Sequence, residues 1–226
     1  MATQLDLQEQ EQLDALKAFW KTYGNLVTWL LILALAAVAG WNGWNWWQRD
    51  QAVKAGAMFD ELERAAVAGD ADRTGRIFGD LKERFPRTAF TQQGGLAAAK
   101  VQFDKGQVDA AMGTLTWLAE NASEDEIRTI ARLRLAGLLS DGKKYDEALK
   151  QIDAAKAAGF EALAQDRRGD VLSAMGKPAE SRAAYQAAWA AMDEKVEYRR
   201  LVEAKLTALG AAPAPAAASA ASGAAR

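Results

Sequence analysis

The sequence contains neither cysteine nor histidine. Without cysteine the chain has no disulfide, no thiolate nucleophile and no cysteine-based metal site. Without histidine it lacks the commonest general base and the commonest ligand for transition metals. Carboxylates and lysines remain as catalytic groups, but these two absences argue against an enzyme. We therefore predict a protein without catalytic residues, cofactor, metal or small-molecule substrate.

A surplus of charge of one sign is also missing. The chain has 28 Lys and Arg against 30 Asp and Glu, which gives a formal net charge of -2. Four of the acids and two of the lysines precede Arg49, so the rest of the chain carries 26 basic and 26 acidic residues. A neutral soluble part offers no basic surface to a phosphate backbone, and we therefore exclude nucleic-acid binding.

The composition that is present favours helix. The chain is rich in Ala, Leu, Lys, Glu and Gln, and it contains only 4 prolines. These residues are strong helix formers, and helix-breaking or β-branched runs are few. The composition predicts an all-α fold.

One apolar segment is long enough to cross a membrane. No charged residue lies in residues 22–48. A helix over residues 23–44 is about 31 Å long, which matches the hydrocarbon core of a bilayer. We predict a transmembrane helix over residues 22–48, after an acidic leader over residues 1–21. Aromatic rings at both ends are expected to contact membrane lipid at the headgroups: Trp20, Tyr23, Trp41, Trp44 and Trp47.

This segment leaves alternatives open. Ala37 and Ala39 precede Gly40 with the spacing of a signal-peptide cleavage site, so a cleaved signal is the main rival to a retained anchor. The long acidic leader and the later tryptophans favour the anchor. Trp44 and Trp47 share one helix face, which suits either the interface belt or a helix–helix contact. Basic residues lie on both sides of the segment, so the positive-inside rule gives no orientation.

A repeated helical pattern follows the apolar segment. Phe78, Leu115, Ile152 and Tyr185 occupy corresponding points, spaced 37, 37 and 33 residues apart. Small residues recur at the same offsets, at Ala99, Ala136 and Gly169, where two antiparallel helices would approach closely. This spacing resembles the tetratricopeptide repeat. We predict a tetratricopeptide-like solenoid over residues 49–209, with a capping helix over residues 196–209 and a disordered Ala/Pro tail over residues 210–226.

Turns between the paired helices are marked by glycine. A glycine near each turn easily supplies a left-handed backbone conformation. The sequence predicts three such positions: Gly106, Gly142 and Gly176.

The order of these features resembles the YfgM family, ancillary subunits of the bacterial Sec translocon. The resemblance is carried by the leader QEQLDALKAFW at residues 10–20, the single apolar helix with its tryptophans, and three stretches within the repeats. Those stretches are RLRLA at residues 132–136, DEALKQID at residues 146–153 and DRRGD at residues 166–170.

The resemblance implies a location and partners that composition and spacing do not supply. It implies a bacterial inner-membrane protein with a cytoplasmic amino terminus and a periplasmic repeat domain. It also implies binding to the SecYEG channel and to PpiD, a membrane-bound periplasmic chaperone, so that the chain would act as a scaffold. The alternative from another class is a transmembrane regulator, whose leader would act on an envelope stress response.

A concave face formed by the first helix of each pair is the candidate partner groove. Counting from the small landmarks, its exposed positions are predicted to be Lys100, Phe103, Asp104, Ser140, Asp141, Asp166, Asp170 and Ser173. Phe103 is apolar, and we expect it to pack into the core rather than against a partner. Asp166 and Asp170 lie one helical turn apart, but without further ligands we expect salt bridges rather than a metal site.

Overall fold

The computed structural model of the chain describes residues 7–211, and within that range all regular elements are helices. The prediction of an all-α fold is confirmed. The first six residues of the leader and residues 212–226 of the tail lie outside the described range, and so does the predicted disorder of that tail. The helices are α1 Leu7–Val67, α2 Ala71–Arg84, α3 Ala89–Asp104, α4 Val108–Asn121, α5 Asp125–Asp141, α6 Tyr145–Ala154, α7 Glu161–Ala174, α8 Pro178–Ala191 and α9 Arg199–Ala208.

The chain falls into two compact units, one up to Val53 and one from Lys54 onward. The first contains most of α1, and by length and composition α1 is the one described helix that is able to cross a membrane. Its apolar side chains are exposed, as Leu33 and Leu35 illustrate at 63% and 69%. The hydroxyl of Thr28 donates to the carbonyl oxygen of Gly24 at 2.8 Å, so this polar group is satisfied within the helix.

The second unit is a stack of helix pairs. The end of α1 packs against α2 in one apolar cluster and is joined to it by the ion pair of Glu61 with Arg73. The pairs α3–α4, α5–α6 and α7–α8 follow, with α9 last. The four large landmarks, one on the second helix of each pair, are 2–4% exposed: Phe78, Leu115, Ile152 and Tyr185. The predicted packing role of these side chains is therefore confirmed.

Small residues allow the paired helices to approach. Ala99 and Ala136 are buried at the predicted positions on α3 and α5. At Gly169 on α7, a Cβ atom would lie 2.4 Å from Cε1 of Tyr185 on α8. Only glycine leaves room for that tyrosine ring.

The turns between paired helices share one conformation, but one predicted residue is wrong. Gly106 and Gly176 are left-handed, with φ of 76° and 74°. Gly142 is not, because its φ is -78°, and Lys143 adopts the left-handed conformation instead with φ of 59°. Lys143 lies 37 residues after Gly106 and 33 before Gly176, so it is the true equivalent of both.

Helix α9 closes the stack, as the sequence predicts, although it begins three residues later than predicted, at Arg199. Val202 and Leu206 are buried against α8 in a cluster with Tyr185 and Ala188. The end of the repeat array is thus covered by a helix that buries its own apolar residues against α8.

Candidate partner-binding groove

An open cavity of about 420 Å³ lies on the face formed by the first helices of the pairs. Helices α3, α5 and α7 line it, and one side chain of α4 contributes to its floor. It is lined by Ala99, Lys100, Phe103, Leu115, Arg134, Gly137, Leu138, Asp141 and Arg167. The repeat packing positions these side chains, because successive first helices present equivalent positions to the same side.

A second cavity, of about 460 Å³, adjoins the first. Lys100 lines both, and the two cavities together are called the groove below. The second cavity is lined by Ala66, Val67, Gly69, Ala97, Lys100, Val101, Asp104 and Lys105.

Four of the eight predicted groove residues line these cavities: Lys100, Phe103, Asp104 and Asp141. Ser140 is half-buried and Ser173 is exposed, and neither is among the lining residues. That the groove binds a partner stays a prediction.

Two predictions about individual groove residues are wrong. Phe103 was expected in the core, but 46% of it is exposed, and it lines the first cavity of the groove. Asp166 was expected to be exposed, but it is 2% exposed because α9 folds over α7 and covers it.

Two arginines of the groove were not predicted from the sequence: Arg134 on α5 and Arg167 on α7. A signal for them was present. The two residues are 33 residues apart, the same offset that relates Ile152 to Tyr185, so they occupy equivalent positions of successive repeats. A search for chemically similar residues at the repeat offset would have found the pair.

The positive charges of the groove are unequally paired. Lys100 forms an ion pair with Asp104 one turn later. Arg167 is 3.3 Å from Asp170, whose other oxygen accepts from Lys205 and Tyr185.

Arg134 has no ion pair among the described residues. Its Nη1 atom donates to the carbonyl oxygen of Leu96 at 3.5 Å, which is a weak contact. A guanidinium has five donors, so most of the hydrogen-bonding capacity of Arg134 is left for solvent or a ligand.

The two remaining acidic candidates belong to a structural cluster between α7 and α9. Asp166 accepts from the ammonium group of Lys205 at 2.8 and 2.9 Å and from the hydroxyl of Tyr198 at 2.7 Å. Asp170 accepts from Lys205 at 2.6 Å and from the hydroxyl of Tyr185 at 2.8 Å. The expectation of salt bridges is confirmed, because Asp166 pairs with Lys205 and Asp170 pairs with Lys205 and Arg167. This cluster fastens the cap.

The cluster shifts the titration of its two phenols. Burial raises the pKa of Tyr185, and its hydrogen bond to the Asp170 carboxylate raises it further. Burial likewise raises the pKa of Tyr198, as does its hydrogen bond to Asp166. Both hydroxyls therefore stay protonated and donate to their carboxylates at neutral pH.

The predicted membrane-interface residues all lie exposed on α1: Trp20, Tyr23, Trp41, Trp44 and Trp47. The rings of Trp44 and Trp47 stack in a tilted pair with centroids 5.2 Å apart. Their contact with lipid stays a prediction.

Known proteins are similar to this chain over most of its length. The tetratricopeptide repeat-like domain family matches residues 17–211. A protein of Neisseria gonorrhoeae named ancillary SecYEG translocon subunit is 31% identical over 204 residues, which cover 90% of this chain and 98% of that protein. A protein of the same name from Escherichia coli K12 is 29% identical over 182 residues, which cover 79% of this chain and 86% of the relative. One from Haemophilus influenzae is 23% identical over 170 residues, which cover 75% and 83% of the two chains.

Proposed function

Because the chain belongs to the family of ancillary SecYEG translocon subunits and carries their tetratricopeptide repeat-like domain, we propose that it is a membrane-anchored scaffold that binds proteins beside the SecYEG channel. This membership confirms the resemblance predicted from the sequence. The single observation that carries the proposal is the match over 90% of this chain and 98% of the relative.

In this proposal α1 attaches the chain to the membrane and the groove binds a partner. α1 holds the chain in the inner membrane, where diffusion in two dimensions raises the effective concentration of the repeat unit near the channel. The groove on the first helices binds a second protein, which we propose to be a membrane-bound periplasmic chaperone of the PpiD type. The scaffold needs no catalytic residue.

The orientation is part of the proposal. The leader over residues 1–21 would lie in the cytoplasm, and the repeat domain over residues 49–209 would lie in the periplasm. Protease added to spheroplasts tests this arrangement: it should degrade the repeat domain and leave an epitope tag on the leader intact. Protection of the repeat domain with loss of the tag would contradict the orientation.

Site-specific photocrosslinking tests the partners. A photoreactive phenylalanine at position 103 probes the groove, and the same residue at Gln186, exposed on α8, serves as the matched control. Position 103 should crosslink channel subunits or a membrane-anchored chaperone, and position 186 should do so at least several-fold less. Recovery of neither class from position 103 contradicts the scaffold function.

A further inference from the structure

The groove holds an apolar surface that the repeat packing leaves partly open, because Phe103 belongs to no core cluster and Leu138 is only partly buried against the core. Phe103 is 46% exposed and Leu138 is half-buried, while Ala99 and Leu115 form a buried floor. An exposed aromatic ring beside a cavity of about 420 Å³ is typical of a surface that accommodates a side chain of a partner.

The guanidinium of Arg134 lies beside this apolar surface and pairs with no carboxylate of the described residues. Arg134 lines the same cavity, and no ion pair reaches it among the described residues. Arg167, at the equivalent position of the next repeat, pairs with one oxygen of Asp170, whose other oxygen accepts from Lys205 and Tyr185. Three cations and one carboxylate line the cavity. Lys100 and Arg167 already pair with Asp104 and Asp170, so Arg134 supplies the positive charge that is open to a ligand. Such a surface favours an anionic occupant.

From these two observations we infer that the cavity takes an apolar side chain of a partner protein, next to which the partner carries an Asp or Glu carboxylate bound by Arg134. The apolar side chain rests against Phe103 and Leu138, and the guanidinium offers the carboxylate two parallel donors. Arg167 adds a second positive charge on the far side. This inference rests on the proposed function, since it names the chemistry of the segment that the groove binds.

The experiment is a selection from random peptides displayed on phage, with the full chain in lipid nanodiscs as the bait and empty nanodiscs as the background. Selected peptides should combine an aromatic or aliphatic residue with Asp or Glu within two positions of it. Basic peptides, acid-free peptides or no enrichment over empty nanodiscs would overturn the inference.

A double-mutant cycle on one selected peptide isolates the contact. Changing the peptide's acid to its amide cannot affect folding of the protein, and it should weaken binding about ten-fold or more, as expected for a charge-assisted hydrogen bond. Arg134→Gln should have the same effect, and the two changes together should add little to either alone. Arg76→Gln, on the exposed side of α2, is the matched control and should leave binding unchanged. Equal affinity for the acid and amide peptides overturns the inference.

The same protein and peptide also test two other occupants of the cavity, a lipid headgroup and a second copy of this chain. Vesicles of phosphatidylcholine and phosphatidylglycerol that displace the peptide would identify a lipid headgroup site instead. A dimer that Arg134→Gln dissolves would identify a second copy as the occupant. Either result overturns the inference. Failure of the photocrosslinking with success of the peptide cycle would remove the translocon scaffold and keep the chemistry of the groove.

Discussion

At the residue scale, the closest approach between paired helices depends on a missing side chain. Gly169 faces the ring of Tyr185, and a Cβ atom would lie 2.4–2.9 Å from three atoms of that ring. Tyr185 cannot retreat easily, because it is 4% exposed and its hydroxyl is bonded to Asp170. Packing and hydrogen bonding thus fix the ring against the glycine.

Gly169→Ala should therefore destabilise the chain by about 1–3 kcal/mol, the range for overpacking of a filled site. Gly113→Ala is the matched control, since Gly113 lies in the exposed middle of α4 with no atom near its Cβ position. That change should stabilise the chain by about 0.5–1 kcal/mol. Urea unfolding of the full chain in detergent measures both. A loss at Gly113 equal to that at Gly169 would contradict the steric account.

The left-handed turn residues give a second test. Lys143 adopts φ of 59°, where Gly106 and Gly176 stand in the neighbouring repeats. Lys143→Gly relieves backbone strain and should stabilise the chain by about 0.5–1 kcal/mol. Gly176→Ala, whose Cβ would meet no atom, should lose about 1–2 kcal/mol from backbone strain alone. Thermal unfolding measures the change in stability of both variants. Destabilisation by Lys143→Gly would contradict the claim that the backbone of Lys143 is strained.

At the element scale, α9 is held by charge as well as by apolar contact. Lys205 lies between Asp166 and Asp170, and Asp166 is 2% exposed. Lys205→Met would leave a buried carboxylate without its cation, with an expected loss of about 3 kcal/mol. The control is Lys195→Met, because Lys195 is exposed before α9. Hydrogen exchange of α9 should increase in the first variant and not in the second. Unchanged exchange in Lys205→Met would show that apolar contact alone holds the cap.

The same cluster predicts loss of stability at high pH. Tyr185 has a pKa raised above its ordinary value in the folded state, so the unfolded chain releases this proton first as the pH rises. The stabilisation is fully present below about pH 10 and disappears as the pH rises toward the folded pKa. Thermal unfolding at increasing pH should show a shallower alkaline decline for Tyr185→Phe. Tyr145→Phe is the control, and an equal effect there would contradict the assignment.

The helices and their core follow from the sequence because a repeat buries equivalent side chains at a constant spacing. Phe78, Leu115 and Ile152 could thus be identified from one-dimensional pattern alone. The burial of Asp166 could not be predicted in this way, since its partner Lys205 lies 39 residues later on a helix outside the repeat pattern. The left-handed conformation of Lys143 was predictable from the repeat offset. It was assigned to the neighbouring Gly142 because glycine is the residue that most easily adopts that conformation.

The groove was harder to predict than the core. Buried positions are apolar in every repeat. Groove positions only face the same side of the helix stack, and their residue types differ from repeat to repeat. Phe103 illustrates this difficulty, because its hydrophobicity indicates the core whereas its side chain is 46% exposed. Arg134 and Arg167 repeat a chemical type at the offset, which is the signal a sequence search for a groove should use.

At the scale of the whole molecule, membrane attachment is assigned to a single segment of α1. Leu31→Arg together with Leu35→Arg should release a large part of the chain from membranes, because each Arg at the centre of a span disfavours insertion by about 2.5–3.5 kcal/mol. Thr22→Arg with Gln48→Arg, at the predicted ends, is the matched control and should stay anchored, since the long side chains reach the headgroups. Carbonate extraction followed by immunoblotting measures both. Equal retention of the two variants would contradict a single-span anchor.

The cap helix also decides how the protein can assemble. A repeat array grows by adding one more unit to an open end, and a bare α8 would present Tyr185, Ala188 and neighbouring apolar surface to the next copy. Val202 and Leu206 already occupy that surface within the same chain. The cap therefore closes this end to polymerisation, so that many copies can crowd in one membrane without joining end to end into filaments.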